Sequence, residues 1–173
     1  SPSNPTGMIY SREELEAIGN WAVEHDLLIL ADDIYGRLVY NGNTFTPISS
    51  ISESIRQQTI VINGVAKAYA MTGWRVGYAV GNPEIIAAMG KIIGQTTSNL
   101  TTVAQYAAIE AFTGPQDTVE TMRQAFEERL NTIYPLLAEV PGFEVVKPEG
   151  AFYLFPNVKK AMEMKGFTDV TEF

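Results

Sequence analysis

Cysteine is absent from the 173 residues, and histidine occurs once, as His25. The first absence excludes a disulfide, a thiol nucleophile and zinc centres of the usual Cys/His kinds. The second leaves a Ser-His-Asp triad only His25 to be built on. The wording "WAVEHDLLIL" places that residue near a helix end, where the helix dipole favours a histidine. No cluster of lysine and arginine appears, and 12 basic against 20 acidic residues give a formal net charge of −8. Nucleic acid and anionic membrane surfaces are therefore not expected as partners. No apolar run approaches the roughly 18 residues that a membrane span requires, so a soluble, cytoplasmic protein is expected. Whatever chemistry the chain performs has to run on lysine, aspartate, tyrosine and arginine.

What is present is ample apolar material. Hydrophobic residues make up 46% and charged residues 18%, enough for the core of one ordinary domain or parts of two. The chain opens on a turn-type sequence, "SPSNPTG", and stops at "FTDVTEF" without punctuation. It is expected to be an internal fragment of a longer protein.

The order of elements is readable. "SREE" is a capping box with Ser11 as N-cap, and Leu15, Ile18 and Ala22 recur behind it at helical spacing. Residues 27–31 form a continuous apolar run, which fits a strand covered on both faces of a parallel sheet. It ends in Asp32 and Asp33, at the strand end where open α/β sheets bind ligands. "TIVING" and "RVGYAVG" read as further strands. Asn82 and Pro83 start a helix, and another begins near Leu100. A long helical pattern runs from Asp117 to about Val140, its stripe marked by Val119, Met122, Phe126, Leu130 and Ile133. Pro135 is expected to kink or end it. "FEVVKPEGAFYLFPNV" is spaced like a hairpin turning at residues 148–150. The fold class is α/β, with a segment of different character at the C-terminus. The domain change is expected inside the long helix, residues 1–125 before it and 126–173 after.

The chemistry concentrates around "VINGVAKAYAMTGWRVGYAVG". Lys67 stands there between Ala66 and Ala68, and Arg75 follows eight positions later. A lysine in an apolar run is pushed towards the neutral amine unless it finds a partner. "SNPTG" adds the Asn4 amide on a turn, and "ADDIYG" adds Asp32 and Tyr35. Amine, carboxylate, phenol, amide and guanidinium together suit pyridoxal phosphate. Such a site needs an amine for a Schiff base, a carboxylate for the pyridine nitrogen and a clamp for the phosphate. Each residue also has a plain structural use. Lys67 can snorkel, the aspartates can end a strand, Arg75 can pair with either of them, and "SNPTG" can be only a turn. Trp74 and Tyr78 are expected in the core.

In "SNPTG", the D-x-x-Y of "ADDIYG" and the K-x-x-x-M-x-G-x-R of "KAYAMTGWR", the chain resembles the class I/II aminotransferases of the fold-type I pyridoxal phosphate enzymes, the aspartate aminotransferase family. The resemblance runs from "SPSNPTG" to "GAFYLFP". It implies part of the large cofactor-binding domain, a mostly parallel sheet flanked by helices, plus the start of the smaller C-terminal domain. It implies Lys67 as the Schiff-base lysine and the acid/base of the 1,3-proton shift. Asp32 would pair with the pyridinium nitrogen, Tyr35 and Asn4 would bond the 3-oxygen, and Arg75 would bind the phosphate. Asp33 is the neighbour, since only Asp32 has the family's spacing to Tyr35. The implied substrates are an amino acid, aspartate first, and a 2-oxo acid such as 2-oxoglutarate. "GQTTSNLTT" lies where the family approaches a neighbouring subunit, which implies a homodimer. Met89, Ile92, Ile93 and Tyr106 fit either that interface or the core.

One position departs from the pattern. The family commonly has a serine where this chain has Ala66, and a lost charge-assisted hydrogen bond to the phosphate costs about 1.5–3 kcal/mol of cofactor affinity. The family's phosphate cup and its ring-stacking aromatic precede "SPSNPTG", and its carboxylate-binding arginine lies beyond the last residues. The fragment is expected to be inactive alone. A lyase of the same fold and a non-catalytic fold-type I domain stay open as alternatives.

Overall fold

Ser11 starts the first regular element. Its hydroxyl accepts from the Glu14 amide at 3.2 Å, and the Glu14 carboxylate accepts from the Ser11 amide at 2.7 Å. This box opens α1 (Arg12–Glu24), which His25 closes. The computed structural model describes residues 1–173. After α1 come β1 (Ile29–Asp32), α2 (Glu53–Gln57), β2 (Thr59–Gly64) and β3 (Gly77–Val80). Four helices follow, α3 (Pro83–Thr96), α4 (Thr102–Thr113), α5 (Asp117–Ala138) and α6 (Lys159–Lys165). The polar "SESIRQQ" segment is α2, capped by the Ser52 hydroxyl, which accepts from the Ile55 amide at 3.3 Å. No helix is long and apolar enough to cross a membrane.

The three strands lie in the order β1-β2-β3. β1 and β2 are parallel, with Asp32 opposite Ile62, while β2 and β3 are antiparallel, with Gly64 opposite Gly77. The sheet is therefore mixed, and the expected parallel arrangement holds for β1 and β2 only. Residues 65–76 contain turns and one short 3-10 turn, Thr72–Trp74, with no crossover helix. A connection of that kind returns β3 beside β2 in the opposite direction.

β1 is covered on one face, not two. Ile29 and Ala31 pack on the cluster of Leu15, Ile48 and Ile55, whereas Leu28 and Leu30 are exposed. Trp74 and Tyr78 are likewise 46% and 40% exposed, against the expectation of a core position. Tyr78 stands on the edge strand β3 and Trp74 in the 3-10 turn before it, where no element of this chain covers them fully. Tyr78 touches one ring edge-on, that of Phe112 at 5.8 Å. Ile92 and Ile93 of α3 and Tyr106 of α4 are also exposed, outside the core.

α5 runs past Pro135 without ending there. The proline stands in the last turn, so it costs the helix one hydrogen bond, and its carbonyl accepts from the Glu139 amide at 3.1 Å. Val119 and Leu130 are buried, Met122 and Phe126 pack on the main core, and Ile133 is exposed. That core holds Tyr35, Leu38, Tyr40, Leu130 and Ala151, residues from both sides of position 125.

Of the expected hairpin at residues 148–150 only one bridge forms. Glu144 bridges Asn157 at one point, but Gly150 bridges Val39 instead of its own chain neighbours. The Glu149 and Gly150 amides both donate to the Gly7 carbonyl at 2.9 Å. On the other side, the Tyr40 amide donates to Glu149 and the Ala151 amide to Leu38, each at 2.9 Å. The Tyr40 hydroxyl also donates to the Ala151 carbonyl. Backbone groups with partners on two flanking segments have no need of a hairpin mate. Gly7 has φ +69°, and a Cβ there would stand 2.6 Å from Pro148 Cβ and 2.8 Å from the Gly150 carbonyl.

Arg123 fastens α5 to the same region. It donates to Glu120, to Glu127 at 2.6 Å and to the Val39 carbonyl at 3.1 Å, while Glu127 accepts from the Asn41 amide at 2.6 Å. Hydrogen bonds from Arg123 hold the Glu120 carboxyl down to about 2 from the ordinary 4.5, and Glu127 is lowered for the same first reason.

Two outcomes are expected. Gly7→Ala should lower stability by about 2–4 kcal/mol, from left-handed backbone strain plus overpacking, read as a fall in the urea midpoint. Arg123→Met should cost about 1 kcal/mol at neutral pH. Because the glutamates are depressed, that difference is full above pH 4.5 and should fade as the pH drops towards 2, in denaturation curves taken across that range.

Candidate active site

The sheet sets one edge apart. β1 and β2 run parallel, so the last residue of β1, Asp32, and the connection leaving β2 stand at the same carboxyl edge. Lys67 and Arg75 both belong to that connection, residues 65–76. Antiparallel return holds it closed: the Val65 amide donates to the Val76 carbonyl at 3.3 Å. Gly64 is required at its mouth, since a Cβ there would meet the Val76 carbonyl at 2.6 Å. Val65 and Val76 anchor the loop on Ala104 and Ala108 of α4.

Asp32 is exposed at the strand end, and one carboxylate oxygen accepts from the Ile34 amide at 3.2 Å. The next residue points the other way. Asp33 is 6% exposed, and burial pushes its carboxyl up, helped by the charge of Asp32. Tyr35 follows in a turn and is buried in the main core. Its phenol is pushed up, chiefly by burial, so it is a neutral O–H group at physiological pH.

Lys67 is not in a strand. It sits in the turn after β2, half-buried, with Nζ 5.8 Å from the Tyr35 ring centroid and 5.4 Å from that of Phe152. Its apolar surroundings are thus two aromatic rings rather than its own chain neighbours. Tyr69 secures the far side of the turn, its hydroxyl donating to Gln116 at 3.2 Å, where Arg37 also donates at 2.7 Å.

Asn4 is exposed on the turn of residues 3–7, which is closed by the Gly7 amide donating to the Ser3 carbonyl at 2.7 Å. The docking of Gly7 on Glu149 and Gly150 brings that turn to the site. Asn4 Nδ2 donates to the Tyr153 hydroxyl at 3.2 Å, and the Tyr153 and Tyr35 hydroxyls lie 2.5 Å apart. Asn4, Asp32, Tyr35 and Lys67 are therefore assembled around one another.

Arg75 stands apart from this group. It is exposed, in left-handed backbone at φ 57°, and donates to the Thr72 carbonyl at 2.9 Å. It pairs with neither Asp32 nor Asp33. Its side is an open cleft of about 1210 Å³ that also involves Thr97, Ser98, Asn99 and Gln105, so the hydroxyl-rich "GQTTSNLTT" segment faces the arginine.

Two residues of the site escape a reading by motif, Phe152 and Tyr153. Their ring centroids lie 5.4 and 5.7 Å from that of Tyr35, both nearly edge-on. The only signal for them in the sequence is an aromatic pair after a glycine, and it does not specify a partner 118 residues away.

Known proteins are similar to this chain. Over all 173 residues the chain is 84% identical to an asparagine–oxo-acid transaminase of Streptococcus mutans and 60% identical to an aspartate aminotransferase of Bacillus sp. strain YM-2. It spans 44% of the length of each. Among solved structures it is similar to the aspartate aminotransferase from Rhizobium meliloti, with a TM-score of 0.89 and 37% identity. That likeness covers 92% of this chain and 40% of the other. The family model described as aminotransferase class I and II matches residues 1–171, and the chain belongs to that family.

Proposed function

We propose that the full-length protein is a pyridoxal phosphate-dependent aminotransferase. It moves an amino group from a four-carbon amino acid, aspartate first, to a 2-oxo acid such as 2-oxoglutarate. The observation that carries this reading is the gathering of the Lys67 amine, the Tyr35 phenol, the Asn4 amide and the Asp32 carboxylate at one sheet edge. The donor set fits the cofactor chemically. It offers an amine between two rings, a phenol kept protonated by burial and an exposed carboxylate without an ion-pair partner at the strand end.

When bound, the cofactor supplies a protonated ring that draws electrons away from the substrate's α-carbon. Lys67 would hold the cofactor through its amine, and its Nζ would be the group that accepts and returns the substrate's proton. Asp32 accepts the hydrogen bond that keeps the ring nitrogen protonated. The Tyr35 hydroxyl and the Asn4 amide donate to the ring oxygen. Arg75, exposed beside its cleft, offers the bidentate donor pair for a phosphate. Retention of all these residues together speaks against a purely structural domain, which has no use for the set.

A second donor has specific support. The relative at 84% identity is named for asparagine, and those at 60% and 55% for aspartate. Homodimer assembly belongs to the same reading. It is supported by the apolar residues Ile92, Ile93, Val103 and Tyr106, which α3 and α4 leave exposed. A cytoplasmic location and a division near residue 125 complete it.

Borohydride reduction of the full-length protein with pyridoxal phosphate should place the label on Lys67, mapped by mass spectrometry, and Lys67→Ala should abolish it. Label spread over the other lysines, or absent, overturns the cofactor reading. In a transamination assay the four-carbon donors should outpace alanine by about 10-fold or more. Asparagine faster than aspartate decides for the second donor.

A further inference from the structure

A phenol has one hydrogen to give, and Tyr35 is asked to give its own to the cofactor's ring oxygen. Its hydroxyl is already engaged, 2.5 Å from that of Tyr153. Two arrangements satisfy this contact. Either Tyr35 donates to Tyr153 and has no hydrogen left, or Tyr153 donates and the Tyr35 hydrogen stays available.

Asn4 distinguishes them. Its Nδ2 donates to the Tyr153 oxygen at 3.2 Å. With Tyr153 donating onward, each oxygen accepts one hydrogen and gives one, and all the bonds run in the same sense, Asn4 to Tyr153 to Tyr35. Such chains strengthen each successive donor. With Tyr35 donating, the Tyr153 oxygen accepts twice, and its own hydrogen has no partner in the structure. Asn4 loses nothing by the first arrangement, since its amide carries a second hydrogen.

Tyr153 is also held for this work. Ala151, two residues before it, is fully buried, with its amide on Leu38 and its carbonyl receiving the Tyr40 hydroxyl. The Phe152 ring is stacked on Phe126 of α5 at 5.4 Å. The groups facing the Tyr35 hydroxyl and ring are Tyr153, Asn4, the Asp32 carboxylate and Lys67 Nζ, with Phe152 apolar beside them. Tyr153 is the only one of these charged or polar groups that comes from the C-terminal segment.

We propose that Tyr153 is a positioning residue of the active site, which accepts from Asn4 and donates to Tyr35 so that the Tyr35 hydrogen is directed at the cofactor. This rests on the cofactor reading above. Through it, the segment after α5 governs the strength of a donor that belongs to the β1 end.

The test uses the full-length protein loaded with pyridoxal phosphate and no substrate, titrated with pH while its visible absorption is followed. A donor to the ring oxygen steadies negative charge there and loosens the proton on the Lys67 nitrogen. Losing or weakening that donor therefore moves the midpoint up. Tyr153→Phe, which keeps the ring, should raise the midpoint by about 0.5 to 1 pH unit, the shift that one ordinary hydrogen bond supports. Tyr35→Phe should raise it at least as far, and the double variant should match Tyr35→Phe alone, because Tyr153 acts through Tyr35. A Tyr153→Phe midpoint equal to the parent's overturns the proposal, as does a double variant in which the two shifts add. Borohydride labelling of the same samples separates the two failures. A parent unlabelled at Lys67 overturns the cofactor reading and this proposal together, whereas a labelled parent with an unmoved midpoint overturns the proposal alone.

Discussion

The site depends on a short run of backbone, residues 149–151, hydrogen-bonded on both sides. The Gly7 carbonyl takes two amides from it, and Leu38 and Tyr40 exchange three further contacts with it, counting the Tyr40 hydroxyl. Gly150 tolerates no side chain, since a Cβ would stand 2.5 Å from Pro2 and 2.7 Å from the Leu38 carbonyl. Segments more than a hundred residues apart are thereby held at fixed spacing. Asn4, Tyr35 and Tyr153 each lie within four residues of this bracket or of its partners. Their mutual geometry follows from backbone pairing and not from side-chain affinity alone. Buried amides without partners are costly, which is why the pairing is complete.

Around that bracket the electrostatics divide cleanly. Two adjacent aspartates at the end of β1 face opposite sides, as a strand requires. Asp32 keeps access to the sheet edge, while Asp33 is buried and pushed up. Burial also keeps the Tyr35 phenol neutral and so able to donate. Lys67 approaches two ring faces and no carboxylate, which leaves its amine free of a fixed ion pair. The strongest charge network, Arg123 with Glu120 and Glu127, lies away from these groups and serves to fasten α5 to residues 39 and 41.

On the proposed reading, Arg75 and Ala66 set the cofactor's two ends apart. The ring end has a built constellation, with three hydrogen-bonding groups in mutual contact. The phosphate end, on the proposed reading, has an exposed arginine at a wide cleft and an alanine in place of a hydroxyl donor.

Much was determined by sequence alone. The helix starts at Ser11 and Asn82 rest on bonds within a few residues of chain, and both form as the local wording requires. Asp32 at a strand end and Tyr35 three residues on follow from spacing of the same short range, whereas Arg75, read as the first residue of a strand, stands in the connection before β3. Tertiary structure decided what spacing cannot encode. It returned β3 antiparallel, left one face of β1 open, and left Trp74 and Tyr78 exposed. It turned the expected hairpin into the bracket, and through it set Tyr153 against Tyr35 across 118 residues of sequence. The physical reason is one of range. Caps and turns are satisfied by neighbours a few residues away, whereas the partners of Gly150, Tyr153 and the β1 face are chosen only when distant segments compete to bury the same backbone and apolar surface.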